Sequence, residues 1–159
     1  MTITFNLNGE KVQVKTVPLR RLVDILIENL GLRGTKSGCR RGECGACLVI
    51  LDGELVSSCL VPAFRLQNRR VVTIEGLAKE KIYADLENAL QEGDLFQCEF
   101  CKSGILMAIM YLLERKKGLR EQDIRAGLSG NLCHCAGHAS LVEAVKKVSG
   151  IRRSQGRAR

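Results

Sequence analysis

Eight cysteines fall into two sets of four with different spacings, and thiolates gathered in such numbers are ligands for soft metal centres. The first set is Cys39, Cys44, Cys47 and Cys59, with gaps of four and then two residues before a distant fourth. That spacing suits a 2Fe-2S cluster, a one-electron carrier. The surrounding string GCRRGECGAC adds Gly38, Gly42 and Gly45, which let the backbone wrap tightly and aim N–H groups at sulfur. The second set, Cys98, Cys101, Cys133 and Cys135, has two residues inside its first pair and one inside its second. Four convergent thiolates there would suit a structural zinc ion or a second cluster. An even count also permits disulfides, but these belong to oxidising compartments, and the opening MTITFNLNGE lacks the basic and apolar regions of a secretory leader.

Length limits what else can hold the fold. With 159 residues the chain is one domain or two small ones, and either half is near the size where an apolar core alone is marginal. Metal sites would then contribute to folding as well as to function. The richest apolar run, GILMAIMYLL, stops well short of a bilayer span, so no membrane role is expected and the cytoplasm is the default location. Net charge is +8, and Arg152, Arg153, Arg157 and Arg159 lie in a tail without acids. Nucleic-acid binding would need stacking aromatics among such charges, yet there is no Trp and aromatics make up only 4% of the chain. The tail reads instead as a solvated end or a strip for an acidic partner.

The elements that position the cysteines follow from periodicity. Ile3, Phe5 and Leu7 alternate, break at Asn8-Gly9 and resume at Val12 and Val14, which predicts a hairpin. Pro18 opens a helical pattern of Leu19, Leu22, Val23, Leu26 and Leu30 that stops at Gly31. After the first cysteine loop come an apolar run Leu48 to Leu51, a turn at Asp52-Gly53, a strand leading into Cys59, and a last strand over Val71 to Ile74. From there the pattern is helical. Ile82, Leu86, Ala89 and Leu90 mark one helix; Ser103 is placed to cap a second, through Ile105, Leu106, Ile109, Met110 and Leu113; Ile124 and Leu128 mark a third; Leu141, Val142, Val145 and Val148 a fourth. The second set of cysteines falls at the mouths of the second and fourth helices, where spare N–H groups and the helix dipole favour an anionic centre.

The order of hairpin, helix, GCxxGxCGxC loop, distant cysteine and helical segment with QCxxC and NLCxC resembles the small two-cluster iron-sulfur subunit of the molybdenum hydroxylases. That family includes xanthine dehydrogenase, aldehyde oxidoreductase, nicotinate dehydrogenase and carbon monoxide dehydrogenase. The resemblance covers roughly residues 2–149. It implies an α+β chain: an N-terminal plant-ferredoxin-like β-grasp domain over residues 1–75, a linker over 76–82, a four-helix bundle over 83–150, and a disordered basic tail over 151–159. Each domain would carry one 2Fe-2S cluster, on Cys39, Cys44, Cys47 and Cys59 and on Cys98, Cys101, Cys133 and Cys135. The resemblance further implies a large partner subunit with molybdopterin, a medium one with FAD, and electrons passing singly between them. Cys135 and Gln97 are the residues expected nearest the pterin. No catalytic residue is expected on this chain, and the function competing with the relay is a free-standing carrier or a zinc-stabilised binding module.

Departures cluster at the second set. Relatives usually read QCGFCTPG and NLCRCTGY where this chain has QCEFCKSG and NLCHCAGH, which introduces Glu99, Lys102, His134 and His138 around the thiols. Such changes tune a cluster's potential without removing a ligand. The two histidines are read as surface or capping residues rather than Rieske-like ligands, Glu43 as a solvated loop residue, and Met107 and Met110 as core packing.

Overall fold

The computed structural model describes every residue except 93, 94, 97, 117 and 157–159, and over 151–156 it describes the backbone alone. Gln97 and the tail residues Arg157 and Arg159 lie outside the described residues.

β1 (Thr2–Leu7) and β2 (Glu10–Lys15) form the predicted hairpin, with Ile3 opposite Val14 and Phe5 opposite Val12. Asn8 and Gly9 take φ of 52° and 92°, the paired left-handed conformation of a two-residue turn. The Asn8 side chain then bonds Thr73, accepting from its N–H at 2.9 Å and donating to its Oγ1 at 3.0 Å. β3 (Leu48–Leu51) and β4 (Glu54–Ser57) make the second hairpin, and β5 (Arg70–Val72) completes a mixed sheet of order β2-β1-β5-β3-β4. Among the described residues, β1·β5 is the one parallel pairing.

The helix expected from Pro18 begins later, at α1 (Leu22–Asp24), and continues as a π-helical turn over Ile25–Asn29. The reason is long-range: the Leu22 N–H donates to Val61, the Ala63 N–H donates to Arg20, and Arg21 bridges Pro62, so residues 20 and 21 are held out of the helix and Arg21 stays extended as its N-cap. The last strand also differs from expectation. It ends at Val72, and Ile74 instead opens a short helix, α2 (Ile74–Leu77).

α3 (Lys81–Glu92), α4 (Lys102–Arg115), α5 (Glu121–Leu128) and α6 (His138–Gly156) form the helical half. α4 is apolar nearly all round and buried from Ser103 to Met110, as a central helix must be. Ser103 does not cap it. Cys101 takes the N-cap position, and Ser103 lies buried in the first turn with its hydroxyl unbonded.

Alternation along β3 joins the two halves. Val49 points into the core formed with Phe5, Leu22 and Leu26, while Ile50 points the other way into the core of α3 to α6. The Ile50→Ala variant is therefore expected to lower unfolding free energy by about 2–4 kcal/mol, read as a lower urea midpoint at unchanged slope. At the far end of α4, Tyr111 donates to Glu54 at 2.7 Å and Arg115 donates to the Gly53 carbonyl at 2.7 Å, fastening the second hairpin to the bundle.

Candidate metal centres

The first cysteine loop follows the sheet's covering turn and can fold as it does because Arg40, Gly42 and Gly45 take φ of 59°, 78° and 72°. The wrap turns backbone donors onto sulfur. The N–H groups of Arg41 and Glu43 reach Cys39 Sγ at 3.4 and 3.3 Å, and that of Cys39 reaches Cys44 Sγ at 3.4 Å. These donors lower the Cys39 pKa to about 6, so the loop is built to welcome negative charge at sulfur. Glycine is required on steric grounds too, since a Cβ at Gly38 would sit 2.8 Å from Cys44 Sγ. Arg40 ties the loop to α1 through a two-pronged pair with Asp24 at 3.0 and 2.8 Å.

Cys47 and Cys59 lie deeper, each 2% exposed beside Val23. Burial, followed by the neighbouring Cys47, pushes the Cys59 thiol up to about 11. Ser58 joins the two arms, its N–H and Oγ donating to the Cys47 carbonyl at 3.1 and 2.7 Å. The structure thus brings all four cysteines of the first set together, and bound metal would keep the deep thiols deprotonated.

The second set also converges. Cys101 is pushed up to about 11 by burial first, then by Cys133, Cys98 and Cys135 around it. The Ala136 N–H points at Cys133 Sγ at 3.4 Å. None of the eight cysteines is in a disulfide. Among the described residues no three His, Cys, Asp or Glu side chains close on one point as a single ion asks. The donor chemistry that is present, four thiols in each place, with three backbone N–H contacts on sulfur at the first site and the Ala136 N–H at the second, fits a 2Fe-2S cluster at each site.

Other sequence-predicted residues fall as follows. Glu43 is exposed and paired with Arg41, a loop role. Met107 and Met110 are wholly buried in the bundle core. His134 and His138 are exposed, the latter opening α6. Lys102 is drawn under the surface between Glu87 of α3 and Glu99. Burial opposes its charge, but hydrogen bonds to Glu87 and Glu99 outweigh that and raise its pKa.

Sequence reasoning missed how the two sets meet. The Leu132 N–H donates to the Cys44 carbonyl at 3.0 Å, and Asn131 Nδ2 donates to the Gly45 carbonyl at 3.4 Å. A Cβ at Gly45 would lie 2.5 Å from that Asn131 nitrogen, and one at Gly104 would overlap the Gly45 carbonyl outright. The available signal was Gly104 in the first turn of a helix that is apolar from there on, a residue that permits close backbone approach at a cost in helix propensity.

Comparison with known proteins agrees with this geometry. The 2Fe-2S iron-sulfur cluster binding domain family matches residues 5–78, and the 2Fe-2S binding domain family matches residues 73–146. The chain is 36% identical over 146 residues to the nicotinate dehydrogenase small FeS subunit of Eubacterium barkeri, covering 92% of this chain and 93% of that one. It is 39% identical over 147 residues to the xanthine dehydrogenase iron-sulfur-binding subunit of Escherichia coli, covering 91% and 92%. Among solved structures, quinoline 2-oxidoreductase from Pseudomonas putida 86 superposes with TM-score 0.88 at 31% identity, over 97% of this chain and 96% of the matched chain. Aldehyde oxidoreductase from Desulfovibrio desulfuricans gives TM-score 0.88 at 33% identity, but there the match takes up only 17% of the longer chain. With near-complete coverage of separate small subunits and both cluster-binding families in order, this chain belongs to the iron-sulfur subunits of the molybdenum hydroxylases.

Proposed function

We propose that this chain is the electron relay of its enzyme, passing electrons one at a time from a molybdopterin centre in a large partner subunit toward a flavin in a medium one. Cys39, Cys44, Cys47 and Cys59 hold one 2Fe-2S cluster in this reading, and Cys98, Cys101, Cys133 and Cys135 hold the other. Each bound cluster supplies a one-electron couple. The observation that carries the reading is the join between the sets. A single hydrogen bond, Leu132 N–H to Cys44 C=O at 3.0 Å, links the backbone of one cysteine to the residue next to another, Cys133.

What the chain's own residues do is hold and insulate. Backbone N–H groups stabilise charge on Cys39, burial excludes water from Cys47 and Cys59, and the Arg40–Asp24 pair fixes the loop on α1. Cys135, by family position, faces the pterin. Three large apolar side chains stand exposed around the first loop: Leu60 against Gly42, Phe100 against Gly38, and Leu132. A rim of that kind supports a docked partner rather than a free carrier. Within the family, hydroxylation of an N-heteroaromatic substrate is the class favoured, because relatives of matching length are named for nicotinate and xanthine.

The test is iron and acid-labile sulfide on anaerobically purified protein, with EPR after dithionite. Four irons and two distinguishable 2Fe-2S signals are expected. Two irons with one signal, and zinc in the balance, would favour the binding-module reading. Co-expression with the neighbouring genes should yield a complex that hydroxylates N-heteroaromatics; one that oxidises only aldehydes would overturn the substrate class.

A further inference from the structure

The arm that carries Cys98 links α3 to α4, and its cysteine is exposed. Lys102, immediately after Cys101, has a side chain only 12% exposed, in the wall of a cavity of about 170 Å³ between the two halves of the chain. Its ammonium lies 3.2 Å from Glu99, on the arm, and 3.1 Å from Glu87, on α3. An amine so nearly buried is kept only where charge partners compensate its lost hydration. Both carboxylates are more exposed than the lysine, so the lysine is the hub and the acids are its anchors.

We propose that Lys102 is a positioning residue for the second metal site: by gathering Glu99 and Glu87 onto one ammonium it ties the Cys98 arm to α3 and keeps Cys98 within reach of Cys101, Cys133 and Cys135. This rests on the reading of those four cysteines as a ligand set. The tie has a second support in Phe100, whose ring lies 3.6 Å from the place a Gly38 Cβ would take, so the arm is gripped from α3 on one side and from the first loop on the other. Lys102 directly follows Cys101 in the chain, so its charge is part of the same proposal. The ammonium and two carboxylates sum to one negative charge, and removing the lysine makes that sum more negative, which lowers the midpoint potential of an adjacent cluster.

The experiment uses the full chain, loaded with iron and sulfide, in wild-type, Lys102→Gln, Lys102→Arg and Glu87→Gln forms. Lys102→Gln is expected to lose second-site iron to a chelator about 10-fold faster or more, the cost typical of lost support around a metal ligand. Its remaining second signal should titrate at a lower potential, with the first signal unmoved. Lys102→Arg, which can bridge the same acids, should restore both readouts. Should Lys102→Gln match wild type in chelator resistance and second-site potential, the proposal is overturned. If that variant loses both signals and so fails to fold, Glu87→Gln decides: faster second-site loss upholds the tie, and an unchanged rate sinks it. A wild-type chain that never binds a second cluster removes the ligand-set reading itself, an outcome visible before any variant is made.

Discussion

The Gly104→Ala variant will unfold at markedly lower urea and load iron poorly at both sites. A glycine in a helix ordinarily costs roughly 0.5–1 kcal/mol relative to alanine, so the same change elsewhere would stabilise. Here the added methyl would run into the Gly45 carbonyl and stand 3.0 Å from the Ala46 Cα, and the obstruction on both sides is backbone. No rotamer can yield. Overpacking of this kind costs about 1–3 kcal/mol and sometimes more, which exceeds the helix gain. Gly150, in α6, is the control: a Cβ there meets nothing within 4 Å, so Gly150→Ala should raise the urea midpoint. Opposite signs from one chemical change would isolate the contact at Gly45, and a Gly104→Ala protein as stable as wild type would remove it from the account.

Cys59→Ala is expected to abolish the first EPR signal while the second persists, with iron falling by about half. Cys59 stands on the Ser58–Leu60 turn, packed with Cys47 and Val23 in a small buried cluster apart from the main cores. Little else fills that corner, so the bound metal contributes to folding there. The β-grasp half should accordingly become easier to proteolyse, whereas Cys98→Ala should spare it. Two undiminished signals from Cys59→Ala would mean that another residue completes the first site.

Much of the fold was legible because its signals are local. Asn8-Gly9 and Asp52-Gly53 marked both hairpins, and apolar periodicity located all four bundle helices. The late start of the first helix and the meeting of the two sets depended on distant partners. The helix after Pro18 starts late because residues 61–63 hold residues 20 and 21 out of it, and no pattern near Pro18 carries that information. Ser103 looked like a cap, a role serine often fills, yet Cys101 occupies the position and pulls Ser103 into the first turn. The cysteines were readable as two sets because ligand spacing is short-range in the first loop. That the sets would touch was not, since the contact joins Cys44 and Gly45 to Asn131 and Leu132. The Glu87–Lys102–Glu99 arrangement was half visible: the i,i+3 pair could be read from sequence, its third member on α3 could not.

The bare-backbone contact at Gly45 has a consequence for how this protein can be re-engineered. The two halves, each matched by its own cluster-binding family, look exchangeable, as if either could be grafted onto a different neighbour. Yet the wall that shapes the first loop is supplied by Gly104, Gly130 and Asn131 of the other half, and one carbonyl of that loop caps Leu132 in return. Each half is therefore part of the other's mould, and a chimera that swaps one must carry both faces of the seam with it.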